Sequence, residues 1–379
     1  MKLILPIFII LMTLCVQLVS GIHYVTIPVL MSEQSYSNLW IGAAMASEIA
    51  GLLLLHRALH AFVRWAGLSV ALLVFVISRA LLCLLMIQWH GYAGWLAGIF
   101  CYGLCTGMLL VLLQTWLNML PLTKRGLWMG LFSAALSLGV ALGPLLVSFT
   151  DLQTEQRFYL SAALNAPLLL LMWIGAAQSG LDSAAPARVR FVFRHARPVL
   201  ISALVGGISF YGLPNFLTLY GISSGLSESS ASILMSIFML GSVSLGMLIS
   251  LLSDWLNRQL MLVICIFVSV VCGVYLSLAM YSSQIATQIL LYCWGGSMGG
   301  IYSIGLSLIG ERFHPSQQLP ANLSYNIMDS CGGIAGLLLI GLMMDQIGSE
   351  GLPLVIEFVG CSFLIYLCWE LVTSERPLR

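Results

Sequence analysis

The chain has 379 residues, of which 60% are hydrophobic and 8% charged, with a formal net charge of +1. A mean hydropathy of +1.01 excludes the two or three soluble domains that length alone would allow, and the near-neutral balance by itself says nothing about nucleic acid. Apolar runs long enough to cross about 30 Å of hydrocarbon recur along almost the whole sequence. The expected class is therefore an all-α membrane protein, because a closed barrel would need short alternating strands instead of continuous apolar runs.

In chain order the runs predict twelve transmembrane helices, at 4–30, 37–58, 65–87, 92–117, 126–149, 157–177, 197–221, 228–252, 259–280, 284–310, 320–344 and 351–373. The first follows a single Lys2, lacks a clear small-residue cleavage site and stays apolar past Val29, so it is read as a retained span and not as a signal peptide. With the N-terminus placed in the cytoplasm, Lys2, Arg57, Arg64, Lys124, Arg125, Arg188, Arg190, Arg194, Arg197, Arg258, Arg312, Arg376 and Arg379 all fall on the cytoplasmic side, Arg157 alone falls outside, and Arg79 lies within a span. A missed or extra span would scramble that bias, so both termini are expected inside. The longest loop, SGLDSAAPARVRFVFRHAR (residues 179–197), is polar, basic and central. It predicts a six-helix bundle over 1–178, a cytoplasmic basic linker over 179–196 and a second six-helix bundle over 197–379, the layout of a duplicated transporter. The cysteines are scattered through the spans, and Cys101 and Cys105, one helical turn apart, are read as packing. No metal site and no cofactor is expected.

Three stretches carry a family resemblance. The turn between the eighth and ninth spans, SLLSDWLNRQ (250–259), gathers Asp254, Asn257 and Arg258 between two apolar runs. With Leu252, it resembles the G-x-L-x-D-x-x-G-R-R/K signature of the major facilitator superfamily. The matching loop after the second span keeps Gly51 but has Leu55 where the aspartate stands, which implies an asymmetric inner gate. On the fifth span, GLFSAALSLGVALGP (130–144) places Gly130, Gly139, Gly143 and Pro144 in the pattern of the glycine motif of that superfamily's proton-driven antiporters, with Val147-Ser148 in place of its final Gly-Gly. Ala135, Gly139 and Gly143 make a flat strip at four-residue spacing, where another helix can approach and slide or simply pack. The tenth and eleventh spans, GGIYSIGLSLIGERF and NIMDSCGGIAGLLLIGLMMDQIG, resemble a compact bacterial branch through the Tyr-Ser run, Glu311-Arg312, Gly332, Gly333, Gly336 and Asp345. The resemblance covers the whole chain. It implies the major facilitator fold of two six-helix halves, and a cytoplasmic gate built from Asp254, Arg258, Glu311 and Arg312. In that gate Asp254 pairs with basic groups and caps a neighbouring helix.

A charge inside hydrocarbon costs at least about 2.5–3.5 kcal/mol, so each one asks for a reason. Glu48 lies in the middle of the second span and Asp329 at similar depth in the eleventh. In the implied fold these spans face each other, so the two carboxylates could share a proton; the alternative is that each is hydrogen-bonded within its own half. Arg79, in the third span, either forms a structural salt bridge with Glu48 or competes with the proton for it. Ile99 stands near the place where many drug antiporters carry a fourth-span arginine. Glu357 and Glu370, nearer the ends of the twelfth span, are read as interfacial or structural.

The resemblance also implies that spans one, four, seven and ten line a central path. Their polar residues are Gln17, His23 and Tyr24; Tyr102, Thr106 and Gln114; Ser209, Tyr211 and Asn215; and Trp294, Ser297, Tyr302 and Ser303. Aromatic and amide groups suit a neutral or amphipathic solute, or a cation helped by Glu48 and Asp329. The expected protein is a monomeric secondary transporter of the bacterial inner membrane, coupled to protons, with lipid and a small-molecule substrate as partners and no nucleic acid. The fifth-span motif tips the expectation toward export. A proton-coupled importer of a nutrient or a siderophore-like metal chelator is the alternative. A non-transporting membrane sensor is the alternative of a different class. No nucleophile–base pair or His-Glu cluster points to an enzyme.

Overall fold

The computed structural model describes residues 4–54, 62, 65–89, 91–120, 125–150, 152–169, 196–313 and 315–373. Twelve α-helices appear among them: α1 (Ile4–Glu33), α2 (Asn38–Leu54), α3 (Leu68–Leu85), α4 (Tyr92–Met119), α5 (Arg125–Phe149), α6 (Thr154–Ala163), α7 (Arg197–Ser223), α8 (Glu228–Ser253), α9 (Arg258–Ser282), α10 (Gln284–Arg312), α11 (Pro315–Ile347) and α12 (Gly351–Thr373). Among the described residues, nine helices are long and apolar enough to cross a membrane; α2, α6 and α12 fall short. Large aromatics stand exposed near helix ends, Trp65 at 84% and Trp255 at 90%. That is where their amphipathic rings favour the lipid–water boundary.

The helices begin where a side chain satisfies the free N–H groups of a first turn. The Ser227 hydroxyl accepts from Ser230 N–H at α8, and the Asn257 side chain accepts from the N–H groups of Gln259 and Leu260 at α9. The aspartate expected to cap a helix at this turn is thus replaced by Asn257, because Asp254 still belongs to the end of α8. The sixth span departs from its expected 157–177. It begins earlier, where the Gln156 side chain accepts from the Gln153 N–H at 3.0 Å. It is interrupted at Leu164–Asn165, where Asn165 turns its Nδ2 back to the Ser161 carbonyl, 2.7 Å away, and competes with the helical ladder. The third span closes with a 3₁₀ turn, Met86–Gln88. The eleventh helix is longer than its expected 320–344 at both ends. The basic linker, Ala196 apart, lies outside the described residues, as do Leu55, the surroundings of Gly130 and the side chain of Glu370.

Two compact units emerge, Met1–Tyr36 with Ala43–Ala184, and Ser37–Gly42 with Ala185–Arg379. In the first, a core of Ile9, Met12 and Val16 from α1, Leu72 and Val76 from α3, and Met108, Leu112 and Trp116 from α4 is closed by Phe132 and Leu168. Lipid tails are as apolar as leucine, so close backbone packing has to supply what the hydrophobic effect supplies in water. Both units use glycine for it, and in the same order. In the first unit α1 meets α5, where a β-carbon on Gly143 would stand 2.4 Å from the Gly21 carbonyl carbon, and α2 meets α4, where one on Gly103 would stand 2.2 Å from the Glu48 carbonyl oxygen. In the second, α7 meets α11 through Gly207, Gly332 and Gly336, and α8 meets α10 through Gly241, Gly295 and Gly299. First-with-fifth and second-with-fourth pairing thus recurs six helices later, as a duplicated unit would give.

The second unit takes in the start of α2 because Asp345 holds it. Its carboxylate accepts from Asn38 N–H at 2.7 Å, Asn38 Nδ2 at 3.1 Å and Leu39 N–H at 2.9 Å. An anion at a helix N-terminus satisfies the free donors and the dipole together. Asp345→Ala is expected to cost about 1 kcal/mol, read as a lower midpoint in thermal unfolding of the detergent-solubilised protein, with Asp345→Asn losing less. An unchanged midpoint in Asp345→Ala would show that solvent replaces the cap.

Candidate functional site

In the N-terminal unit the residue around which the interior is organised is Arg79. It is fully buried and its planar fork reaches from α3 to three other elements. Nε donates to Thr106 Oγ1 of α4 at 3.0 Å and Nη1 to Asn165 Oδ1 after α6 at 3.0 Å. Nη2 donates to the Val16 carbonyl of α1 at 2.6 Å, to Ser20 Oγ at 3.3 Å and to Tyr102 OH at 2.5 Å. The guanidinium carbon also lies 4.8 Å from the Tyr102 ring centroid. The expected salt bridge with Glu48 is not formed. The guanidinium is instead saturated by neutral acceptors in planar directions, which its rigid fork suits.

Glu48 is buried, with 4% of its surface exposed. Its Oε1 accepts from Tyr24 OH at 3.5 Å, and its backbone is pressed against Gly103. His23, a candidate for the central path, is packed inside the same unit. Its ring centroid lies 4.6 Å from that of Tyr102 and 5.5 Å from that of Phe158, and Nε2 lies 3.9 Å from Cys83 Sγ. Tyr102 is likewise buried, engaged by Arg79. Gln17 is half-buried and Gln114 exposed. Gly139 of the fifth-span strip packs on Leu14 and Gln17 of α1, and Gly143 on Gly21 and Ile22, so in this structure the strip is the α1–α5 seam.

In the C-terminal unit a second buried carboxylate has a different setting. Asp329 is 9% exposed and accepts a hydrogen bond from Tyr211, while Tyr302 and Tyr325 both lie within electrostatic reach. Tyr302 OH donates to Asn326 Oδ1 at 3.2 Å, Tyr325 OH to the Ile301 carbonyl at 3.4 Å, and the two tyrosine rings meet at 5.8 Å and 67°. The geometry rests on Gly207, whose missing β-carbon lets α7 touch α11 at the Asp329 carbonyl and brings Tyr211, one turn further along α7, to the carboxylate. Two other residues expected on the path are interior. Trp294 is fully buried and its Nε1 donates to Ser269 Oγ of α9 at 2.7 Å. Asn215 turns Nδ2 to the Tyr211 carbonyl at 2.8 Å, leaving Oδ1 buried without a partner among the described residues.

At the α8–α9 turn Arg258 joins two acids. Nη2 lies 2.5 Å from Asp254 Oδ1, and Nη1 binds Glu311 Oε1 at the end of α10. The carboxylate side chains are more than half exposed, so each pair contributes at most about 1 kcal/mol. That suits contacts that must break and re-form. A shallow cleft lined by Ser253, Asn257, Arg258, Leu308 and Glu311 opens beside it. Arg312 stands next to Glu311 and is half-buried. Sequence reasoning placed Arg258 and Glu311 in one gate without their direct contact. It missed Asn165 and Asp345 as partners, since neither is marked by local pattern.

Residues 9–336 match the family model described as Major Facilitator Superfamily. The uncharacterized MFS-type transporter YfkF of Bacillus subtilis (strain 168) is 21% identical over 249 residues, 63% of this chain and 63% of that protein. The chain thus spans less than two thirds of the length of this curated relative. Among solved structures, the nucleoside transporter NupG superposes with a TM-score of 0.81 at 13% identity, covering 98% of this chain and 100% of that one. A bacterial homolog to the human lysosomal transporter Spinster, inward-facing and occupied, superposes with a TM-score of 0.79 at 12% identity, covering 99% and 98%. At such identities the likeness to solved structures concerns the fold alone.

Proposed function

The chain belongs to the Major Facilitator Superfamily, and on that basis we propose that it is a secondary active transporter that moves a small molecule by alternating access and couples the movement to protons. The superfamily is one of membrane transporters and not of enzymes. The observation that carries the proposal is the pair of buried carboxylates, each in its own unit. Glu48 meets Tyr24 and Asp329 meets Tyr211, and neither forms an ion pair among the described residues. An acid kept in an apolar helix without a basic partner costs several kcal/mol unless it exchanges a proton or a cation. The twelve helices act as twelve spans in two six-helix bundles, with both termini on the cytoplasmic side of a bacterial inner membrane. Export is the favoured direction, supported by the Gly139–Gly143 strip on α5 alone.

The test compares metabolites inside and outside cells making the wild type with those making Asp329→Asn at equal membrane levels. A compound lost from cells only with the wild type identifies the cargo and the direction. A compound accumulated only with the wild type reverses the direction and reduces the α5 strip to packing. The absence of any difference between either variant and cells lacking the protein would remove the transport proposal.

The Asp254–Arg258–Glu311 cluster serves in this proposal as the cytoplasmic gate, with Arg312 beside it. Asp254→Asn should insert and fold normally, since it removes one exposed pair of at most about 1 kcal/mol, yet lower the transport rate severalfold. A full transport rate in that variant would demote the cluster to an ordinary turn.

A further inference from the structure

We propose that Asp329 and the tyrosines around it bind an organic cation, a protonated or quaternary amine, so that the cargo of the transporter is an ammonium compound. This rests on the transporter reading above and adds its substrate class. Three observations converge on it.

The first is charge balance. Among the described residues of the C-terminal unit the arginines are Arg197, Arg258 and Arg312, and each lies at a helix end. Asp329, mid-way along α11, therefore has no cationic side chain paired with it among the described residues of its own unit, and its charge is left for a ligand to match.

The second is the wall. Tyr211 of α7 hydrogen-bonds the carboxylate, and Tyr302 of α10, with the buried Tyr325 of α11 behind it, lies near enough to feel its charge. Tyrosine faces attract ammonium groups, and rings set at a steep angle to one another, as Tyr302 and Tyr325 are, give a cation an electron-rich face as well as a negative partner. An anion would meet the carboxylate with nothing to offset it. A bare divalent metal would want several oxygen ligands, where this site offers one acid.

The third is access. Tyr302, inside the apolar stretch of α10, is 41% exposed, and Asn326, two residues into the apolar stretch of α11, is exposed as well. Asn326 and Asp329 are three residues apart on α11 and share a face. A tyrosine hydroxyl, an amide and a carboxylate grouped on one face are not turned to lipid without large cost, so this face opens to water. A solute arriving there meets Tyr302 and Asn326 first and Asp329 behind them.

The experiment measures thermal stabilisation of the purified full-length protein in detergent by phenethylamine and benzyltrimethylammonium, against phenethyl alcohol and phenylacetate of similar shape. The two cations should raise the unfolding midpoint and the uncharged and anionic compounds should not. Asp329→Asn should weaken the response to the cations by at least tenfold, and Tyr302→Leu, an exposed change that spares the fold, should weaken benzyltrimethylammonium more than phenethylamine. Equal stabilisation by the alcohol or the acid, a response untouched by both substitutions, or no response to either cation would overturn the proposal. A cargo without positive charge in the metabolite comparison would overturn it while leaving transport intact. Absence of any cargo would instead strike the transporter reading itself.

Discussion

Arg79→Ala is expected to lose most of the folded protein from the membrane fraction. What survives in detergent should unfold roughly 10 °C below the wild type. Two opposing effects set the size. Removing the guanidinium relieves the cost of a charge in an apolar bundle, about 2.5–3.5 kcal/mol. Against this, truncating a large, fully buried side chain leaves a cavity, on the order of 3–5 kcal/mol, and α1, α3, α4 and the segment after α6 lose the fork that joins them. Some stranded acceptors recover: Ser20 and Thr106 can turn to carbonyls one helical turn back, as Thr13 already does toward Ile9. Tyr102 OH keeps Ser20 Oγ at 3.3 Å, but Asn165 Oδ1 loses the donor it has, and a buried group left unpaired costs about 1–3 kcal/mol. Cavity and lost bonds therefore outweigh the relief. Arg79→Met, which refills the volume without charge, should regain part of the loss. Arg79→Lys separates the two roles considered for this residue. An ammonium keeps the charge near Glu48 but cannot reach Thr106, Asn165 and Val16 together. A stable Arg79→Lys protein with impaired transport would restore the competition between Arg79 and the proton, whereas a destabilised one confirms a cross-link. A wild-type unfolding midpoint in Arg79→Ala would remove the cross-link altogether.

The contrast between what was legible and what was not follows the range of the forces involved. Long apolar runs are local and repeat with little ambiguity, so all twelve helices could be placed from them. Their ends could not, because α6 starts on a Gln153–Gln156 contact and breaks on the Asn165 side chain, neither of which hydropathy registers. The buried charges announced themselves by cost alone, but their partners did not. Glu48 and Arg79 are 31 residues apart and looked complementary, yet Arg79 is satisfied by residues from Val16 to Asn165, an arrangement set by how four helices pack. Aromatic residues were read as path-lining by their place in the family pattern. Packing put Tyr102 and Trp294 inside, while Tyr302 stayed exposed. Asp345 carried only a family likeness in the sequence, and its contact with Asn38 joins residues 307 apart.

Gly207→Ala is expected to damage fold and site at once, although a single methyl group is added. A β-carbon there would lie 2.0 Å from the Asp329 carbonyl oxygen, 2.8 Å from its carbonyl carbon and 3.1 Å from the Gly333 nitrogen. All three are backbone atoms and cannot rotate away. The α7 and α11 helices must separate by roughly an ångström, and close packing tolerates that poorly, at a cost of about 1–3 kcal/mol or more. The same separation draws Tyr211, four residues along α7, away from the Asp329 carboxylate. Stability and cation response should therefore fall together. Gly206→Ala, one residue earlier, is the matched control. Its β-carbon would meet only the Ile301 Cγ2 methyl at 3.2 Å, a side chain that can shift, so both readouts should stay near wild type. If Gly207→Ala lowered the unfolding midpoint while the protein still bound benzyltrimethylammonium with full affinity, Tyr211 would not contribute to the site. If it changed neither, the α7–α11 contact would not be the one that sets the position of Asp329.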